Sequence, residues 1–338
     1  MTTILMGLLV IAIAASVLYG LRINPDKNEF LSLSDSTFLR GLWCIVVLLV
    51  HVPADYQNPI QDAIGSFAYI GVTFFFMTSA FGLKYSIDHK KDYMKGFWLR
   101  RLPAILIPAL IANAFHVVMK AVAGTEITAL SFLNIDGWVK VLLLFYVLFW
   151  VVYGLLPKFT RGGYWQDAVM CLLVLACSLI DRFTEFKITF GWIVEPLGFA
   201  YGIIAAVYAD KIKRWIGEKW LIKSIVLVIV SGVLGIAYLK FKTISVFGDY
   251  ILKIVLGISI TAFVFEAIAK LKVGNAVNRF LGSISYEVYI LHRAVFVLIA
   301  LVVPKANSGI FIFASVLISI GLAYLLNRLT KIILHRGK

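Results

Sequence analysis

Charge is scarce in this chain. Asp, Glu, Lys and Arg make up 15% of its 338 residues, where ordinary soluble domains carry about a quarter. Cysteine is scarcer still. Cys44, Cys171 and Cys177 all fall in apolar runs, so they form no disulfide framework and read as small core residues. No internal repeat or low-complexity tract is evident, and the longest segments between apolar runs, at 22–37, 84–101 and 120–136, are 16 to 18 residues. No appended soluble domain is therefore expected. The opening "MTTILMGLLVIAIAASVLYGL" lacks the basic n-region of a secretory signal and is long enough to span a bilayer, so it reads as a retained transmembrane helix.

What fills the chain is hydrocarbon. Hydrophobic residues reach 61% and the mean hydropathy is +0.93, which places the protein in the membrane class. Apolar runs near 4–21, 38–52, 66–83, 102–119, 137–156, 166–180, 188–209, 221–239, 250–268, 280–303 and 309–327 predict an all-α integral membrane protein of about 11 transmembrane helices. The net charge of +14 then belongs to loops that hold one membrane side, not to a nucleic-acid surface. With the N-terminus outside and the C-terminus cytoplasmic, 22 of the 32 Lys and Arg lie inside and 7 outside, which favours that orientation in a multi-pass cell-membrane protein.

Ionisable groups within spans are costly and are functional candidates by default. In "RGLWCIVVLLVH", Arg40 and His51 are 11 residues apart. On a helix that is three turns plus about 20° and a rise of roughly 16 Å, so the two share one face. In the expected orientation Arg40 joins Lys84, Arg100, Arg101 and Arg279 in an inner layer. His51, His116, Trp138, Lys140 and Glu195 form an outer one, with His292 near mid-helix and Glu287 about a turn inward. An inner cationic mouth attracts an anionic ligand such as a phosphorylated cofactor. An outer imidazole suits a general base near neutral pH, and a long ligand arm would link the two. Plainer readings stand beside these. Arg100 and Arg101 are equally well positive-inside anchors, Lys140 a snorkelling residue, Trp138 an interfacial aromatic, and His116 and Glu287 satisfied structural groups.

Six segments tip the balance. "FLRGLWCIVVLLVH" resembles the opening helix of membrane acyltransferase family 3, whose hallmark is Arg, ten residues, then His. "GVTFFFMTSAFGL" (71–83) is similar to the family's Phe-Phe-x-x-Ser-Gly-Phe segment, and "FWLRRLPAILIP" (97–108) to its basic lead-in to the next helix. "WVKVLLLFYVLFWVVYGLLP" (138–157) resembles the Trp-led helix, and "EPLGFAYGIIAAVYADK" (195–211) the Pro-x-Gly helix. "LGSISYEVYILHRAVF" (281–296) is close to the Ser-Tyr-x-x-Tyr-x-x-His helix. The likeness runs over about 36–330. It implies a ten-helix core within an acyltransferase domain at 36–338, preceded by an extra helix and cytoplasmic loop at 1–35. Two departures stand out: Ala80 replaces a glycine, and Pro103 and Ala104 replace a further basic residue.

The resemblance implies transfer of an acyl group, often acetyl, from cytoplasmic acyl-CoA to a hydroxyl of a cell-surface or exported glycan. Acyl-CoA is then a donor substrate, with no permanently bound cofactor and no metal site expected. Arg40, Arg100, Arg101 and Lys84 would hold the CoA phosphates. His51 would be the general base, with Arg40 as its catalytic companion. Ser79, Trp138, Glu195, Tyr286 and His292 would line the cavity or the acceptor site: Ser79 by packing or hydrogen bonding, Trp138 by stacking on a sugar, Glu195 by orienting an imidazole or binding hydroxyls. The rival reading is a permease or flippase for a glycan precursor or small anion. A membrane sensor whose bundle merely binds ligand is a third.

Overall fold

The structure, a computed structural model, describes residues 1–24, 27, 30–156 and 164–336. Lys158, Arg161 and Lys338, counted above among the inside cations, lie outside the described residues. The helices are α1 (Thr2–Leu18), α2 (Leu33–Val50), α3 (Pro59–Gly65), α4 (Ala68–His89), α5 (Phe97–Val122), α6 (Gly137–Trp150), α7 (Tyr164–Phe183) and α8 (Leu197–Val207). They continue as α9 (Ala209–Gly217), α10 (Trp220–Phe241), α11 (Lys253–Ala269), α12 (Ala276–Ser283), α13 (Ser285–Val302) and α14 (Ser308–Arg336). A π-helical turn, Val151–Leu155, extends α6, and another, Phe247–Leu252, leads into α11. The described sheet is one two-residue ladder, β1 (Arg22–Ile23) against β2 (Leu271–Lys272).

Among the described residues, 8 helical segments are long and apolar enough to cross a membrane. They occupy eight of the expected segments. The other three expected segments hold α1, α8 and α7. The first two are apolar but have only 17 and 11 residues. The third has 20 but carries Asp167, Asp181 and Arg182. The protein is an all-α multi-pass membrane protein.

Boundaries moved where polar local geometry overrides hydropathy. The run expected to be helical from 188 becomes helix only at Leu197. Phe190 and Gly191 take positive φ, and the Asp181 carboxylate accepts from the backbone N–H of Thr189 and Gly191. Together they fix a turn in place of the expected helix start. The run expected over 280–303 is divided at Ile284 into α12 and α13. At the other end of the chain, α2 begins five residues before the expected 38, because Ser32 caps it by accepting from the Asp35 N–H.

Glycine sets the close approaches. A Cβ on Gly198 would overlap the Thr73 carbonyl, and one on Gly202 would overlap the Met77 carbonyl and lie 2.8 Å from Ala80 Cβ. The Gly198–Gly202 pair is thus a small-xxx-small face that seats α8 on α4. Ala80, which replaces a glycine of the segment it resembles, is fully buried against it. The glycine is simply supplied by α8. In the same way α12 sits against α2 through Gly41 and Gly282.

Candidate active site

Six helices enclose a cavity of about 850 Å³. One side of it follows α4 from Tyr85 through Gly82, Ser79 and Thr78 to Phe75, ten residues or roughly 15 Å of helix. From α6, Trp138, Leu142 and Tyr146 line it at i, i+4 and i+8, and from α13 come Ser285, Tyr286 and Tyr289. At its mouth stand Arg40 of α2, Arg101 of α5 and Lys213 of α9. Arg40 donates to the Ser36 carbonyl (3.4 Å) and to Thr37 Oγ1 (3.3 Å), and Arg101 to the Tyr93 hydroxyl. None of these three cations has a carboxylate partner among the described residues. At the far end the walls turn aromatic, with Trp138 and Tyr289 rings 5.1 Å apart. The cavity is thus charged at one end and aromatic at the other.

Behind that end lie two imidazoles. The His292 ring is 5.6 Å from Tyr289 and 4.8 Å from His51. His51 Nδ1 is 2.9 Å from the Val47 carbonyl, and His292 Nδ1 contacts the Tyr289 carbonyl. A carbonyl oxygen only accepts, so in both rings Nδ1 carries the proton and Nε2 keeps its lone pair. His292 is 1% exposed and its Nε2 has no partner. His51 is the half-buried C-cap of α2.

Beyond the wall is a second, polar cavity of about 360 Å³, lined by His116, Lys120, Asp136, Lys140 and Arg293 among others. Asp136 joins the two spaces. Its carboxylate caps α6 by accepting from the Trp138 N–H (2.8 Å), accepts from the Tyr289 hydroxyl (3.3 Å) and lies 3.9 Å from Arg293.

The structure therefore gathers Arg40, Arg101, Ser79, Trp138 and Tyr286 around one cavity and pairs His51 with His292 just behind it. Ser79 bonds the Tyr146 hydroxyl (2.8 Å), and the Tyr286 hydroxyl donates to the Ile105 carbonyl (2.8 Å). Three expected residues lie elsewhere. Arg100 spends its guanidinium on the Lys95 and Tyr93 carbonyls. Glu195 is ion-paired with Lys253 at 2.6 Å. Lys84 is buried between Asp88 (2.8 Å) and Asp167 (3.1 Å), beneath the Tyr153 ring. Lys84→Met is accordingly expected to lower the melting temperature, by leaving the Asp167 charge buried without its cation. Thermal unfolding of the purified variant beside wild type checks this. Lys213 and Asp136 were not anticipated: the first sits on a short polar helix, the second in a loop, where hydropathy gives no signal. Asp136 immediately before Gly137 and Trp138 is nevertheless a helix-cap pattern.

No curated protein and no solved structure matches the chain. A family model described as an acyltransferase domain does match, over residues 34–328. That stretch runs from the first turn of α2 into α14 and contains every residue of both cavities except those at the first cavity's outer rim, Phe30 to Leu33. With that much of its length covered, the chain belongs to this family, acyltransferase family 3.

Proposed function

We propose that the protein transfers an acyl group, of which acetyl is the simplest, from acyl-CoA to a hydroxyl of a cell-surface or exported glycan. The observation that carries this is the pairing of the two cavities. The larger has a cationic mouth and an aromatic end; the smaller is polar and lies one tyrosine away, with two imidazoles beside the partition. In this reading the mouth faces the cytoplasm and Arg40, Arg101 and Lys213 take the CoA phosphates. The pantetheine arm runs along α4, and the thioester rests near Trp138. The acceptor enters the smaller cavity. His51, holding a free Nε2, removes the hydroxyl proton as the oxygen attacks the thioester carbon. The substrates meet where the Tyr289 ring stands, so its hydrogen bond to Asp136 opens during the cycle.

The test is purified protein in nanodiscs with labelled acetyl-CoA, following CoA release and label transfer to a cell-envelope glycan extract. Turnover supports the reading. Absence of binding or turnover with acetyl-CoA and longer acyl-CoAs overturns it and favours a permease. A finer check separates the neighbouring arginines. Arg101→Gln is expected to raise the KM for acetyl-CoA roughly tenfold to a hundredfold, the worth of a hydrogen bond to a charged group. Arg100→Gln is expected to leave it alone.

A further inference from the structure

Trp138 lines the first cavity, and its indole Nε1–H is buried with no acceptor. Among the described residues it is the one buried, unpartnered side-chain polar atom that belongs to a residue lining this cavity. Buried donors are almost always satisfied, so an orphan at a cavity wall asks for a ligand atom. An indole N–H only donates, so the missing group is an acceptor such as a carbonyl oxygen. The ring itself is enclosed by Phe75, Phe76, Tyr286 and Tyr289, with centroids 6.4, 5.4, 6.1 and 5.1 Å away. Rings on this many sides leave little open face on which a sugar would stack. Its position is also held: α6 starts at Gly137, and the Asp136 carboxylate fixes the Trp138 backbone N–H at 2.8 Å.

We propose that the Trp138 N–H donates a hydrogen bond to the thioester carbonyl oxygen of the acyl donor and stabilises the oxyanion formed during transfer. This rests on the acyl-transfer reading above and deepens it. As the acceptor oxygen bonds to the carbonyl carbon, the carbonyl π pair moves onto oxygen and meets this preorganised donor. The pair then returns, the carbon–sulfur bond breaks, and the CoA thiolate leaves. The proton that His51 took from the acceptor hydroxyl passes to the thiolate. A donor aimed at developing charge strengthens its bond in the transition state, so it acts on kcat more than on KM.

The decisive probe is a non-transferable ketone analogue of acetyl-CoA, with methylene in place of sulfur and a 13C carbonyl, bound to the protein in nanodiscs and read by infrared spectroscopy. Trp138→Phe keeps an aromatic ring and removes the N–H. The expected result is analogue binding to both proteins, with the carbonyl stretch at lower frequency in wild type than in Trp138→Phe. With acetyl-CoA, kcat falls about 10²-fold, the cost of one oxyanion donor, while KM changes little. Should Trp138→Phe fail to fold, 3-benzothienylalanine at position 138, which puts sulfur in place of N–H at nearly constant shape, gives the same comparison. An identical carbonyl stretch and unchanged kcat in a folded variant overturn the assignment while leaving acyl transfer intact. Failure of the analogue to bind wild type overturns the acyl-CoA reading and this assignment with it.

Discussion

Replacing His51 by alanine is expected to abolish the proposed acyl transfer while leaving acetyl-CoA bound. The expected loss in kcat is about 10² to 10⁴-fold, the range for a general base, with acetyl-CoA affinity unchanged because His51 does not line the donor cavity. That cavity's mouth is built by Arg40, Arg101 and Lys213, and Arg40 lies about 15 Å along α2 from its C-terminus. The substitution deletes an imidazole whose Nδ1 is tied to Val47 and whose Nε2 is open, so the surrounding helix end has little to readjust. Equilibrium binding of labelled acetyl-CoA beside label transfer separates the two effects. Transfer that continues undiminished in a folded His51→Ala protein removes His51 from the mechanism, and His292, whose Nε2 is equally unpartnered, becomes the base to test.

A large structural effect is expected at Gly202. Valine there would drive a side chain into the Met77 carbonyl and the Ala80 methyl, with the Phe81 N–H 2.9 Å from the new Cβ. Ordinary overpacking costs about 1–3 kcal/mol because side chains can shift. Here the obstacle is backbone of a neighbouring helix, so α4 and α8 must part. The consequence reaches the site, since α4 carries Phe75, Thr78 and Ser79 along the larger cavity. Gly202→Val should yield little folded protein in detergent and a markedly lower melting temperature for what remains. Gly232→Val on α10, where an added Cβ meets nothing within 4 Å, should melt like wild type. Equal stability of the two variants would show that α8 does not bear on α4 as described.

Much of this was readable from residue order, and the failures have specific causes. The hydrophobic runs located the helices because lipid demands the same apolar length wherever a chain crosses. Arg40 was found because a cation in such a run is costly. Its helical spacing from His51 was correct, yet one residue faces the cavity and the other caps the helix behind it, since α2 stops at Val50. Arg100 and Arg101 look equivalent in sequence, but adjacent helical residues point about 100° apart, and only Arg101 reaches the cavity. Lys84 resembled a phosphate ligand until Asp167, from a distant helix, closed on it. No local pattern announces such a partner. Lys213, Asp136 and the short α3, α9 and α12 escaped for the opposite reason: they are too brief or too polar to register in a hydropathy profile.

The rim of the larger cavity has a history written into its connections. Lys27 ties to Asp35 at the head of α2 and also to the carbonyl of Ile268, 241 residues away. The β1–β2 ladder joins Arg22 to Lys272, and Asn275 and Asn278 donate to carbonyls at the end of α1. Ser285, Tyr286 and Tyr289 then supply one whole side of the cavity. A ribosome making this chain therefore emits the Arg40 helix early and the residues that complete its surroundings late. Until α12 and α13 emerge, the first helices wait in the bilayer with a charged residue facing an unfinished chamber. Contacts of such separation form slowly, so completion of the cavity is a late event, and a chain truncated before α12 contains all three cations of the mouth but lacks the wall that α13 supplies.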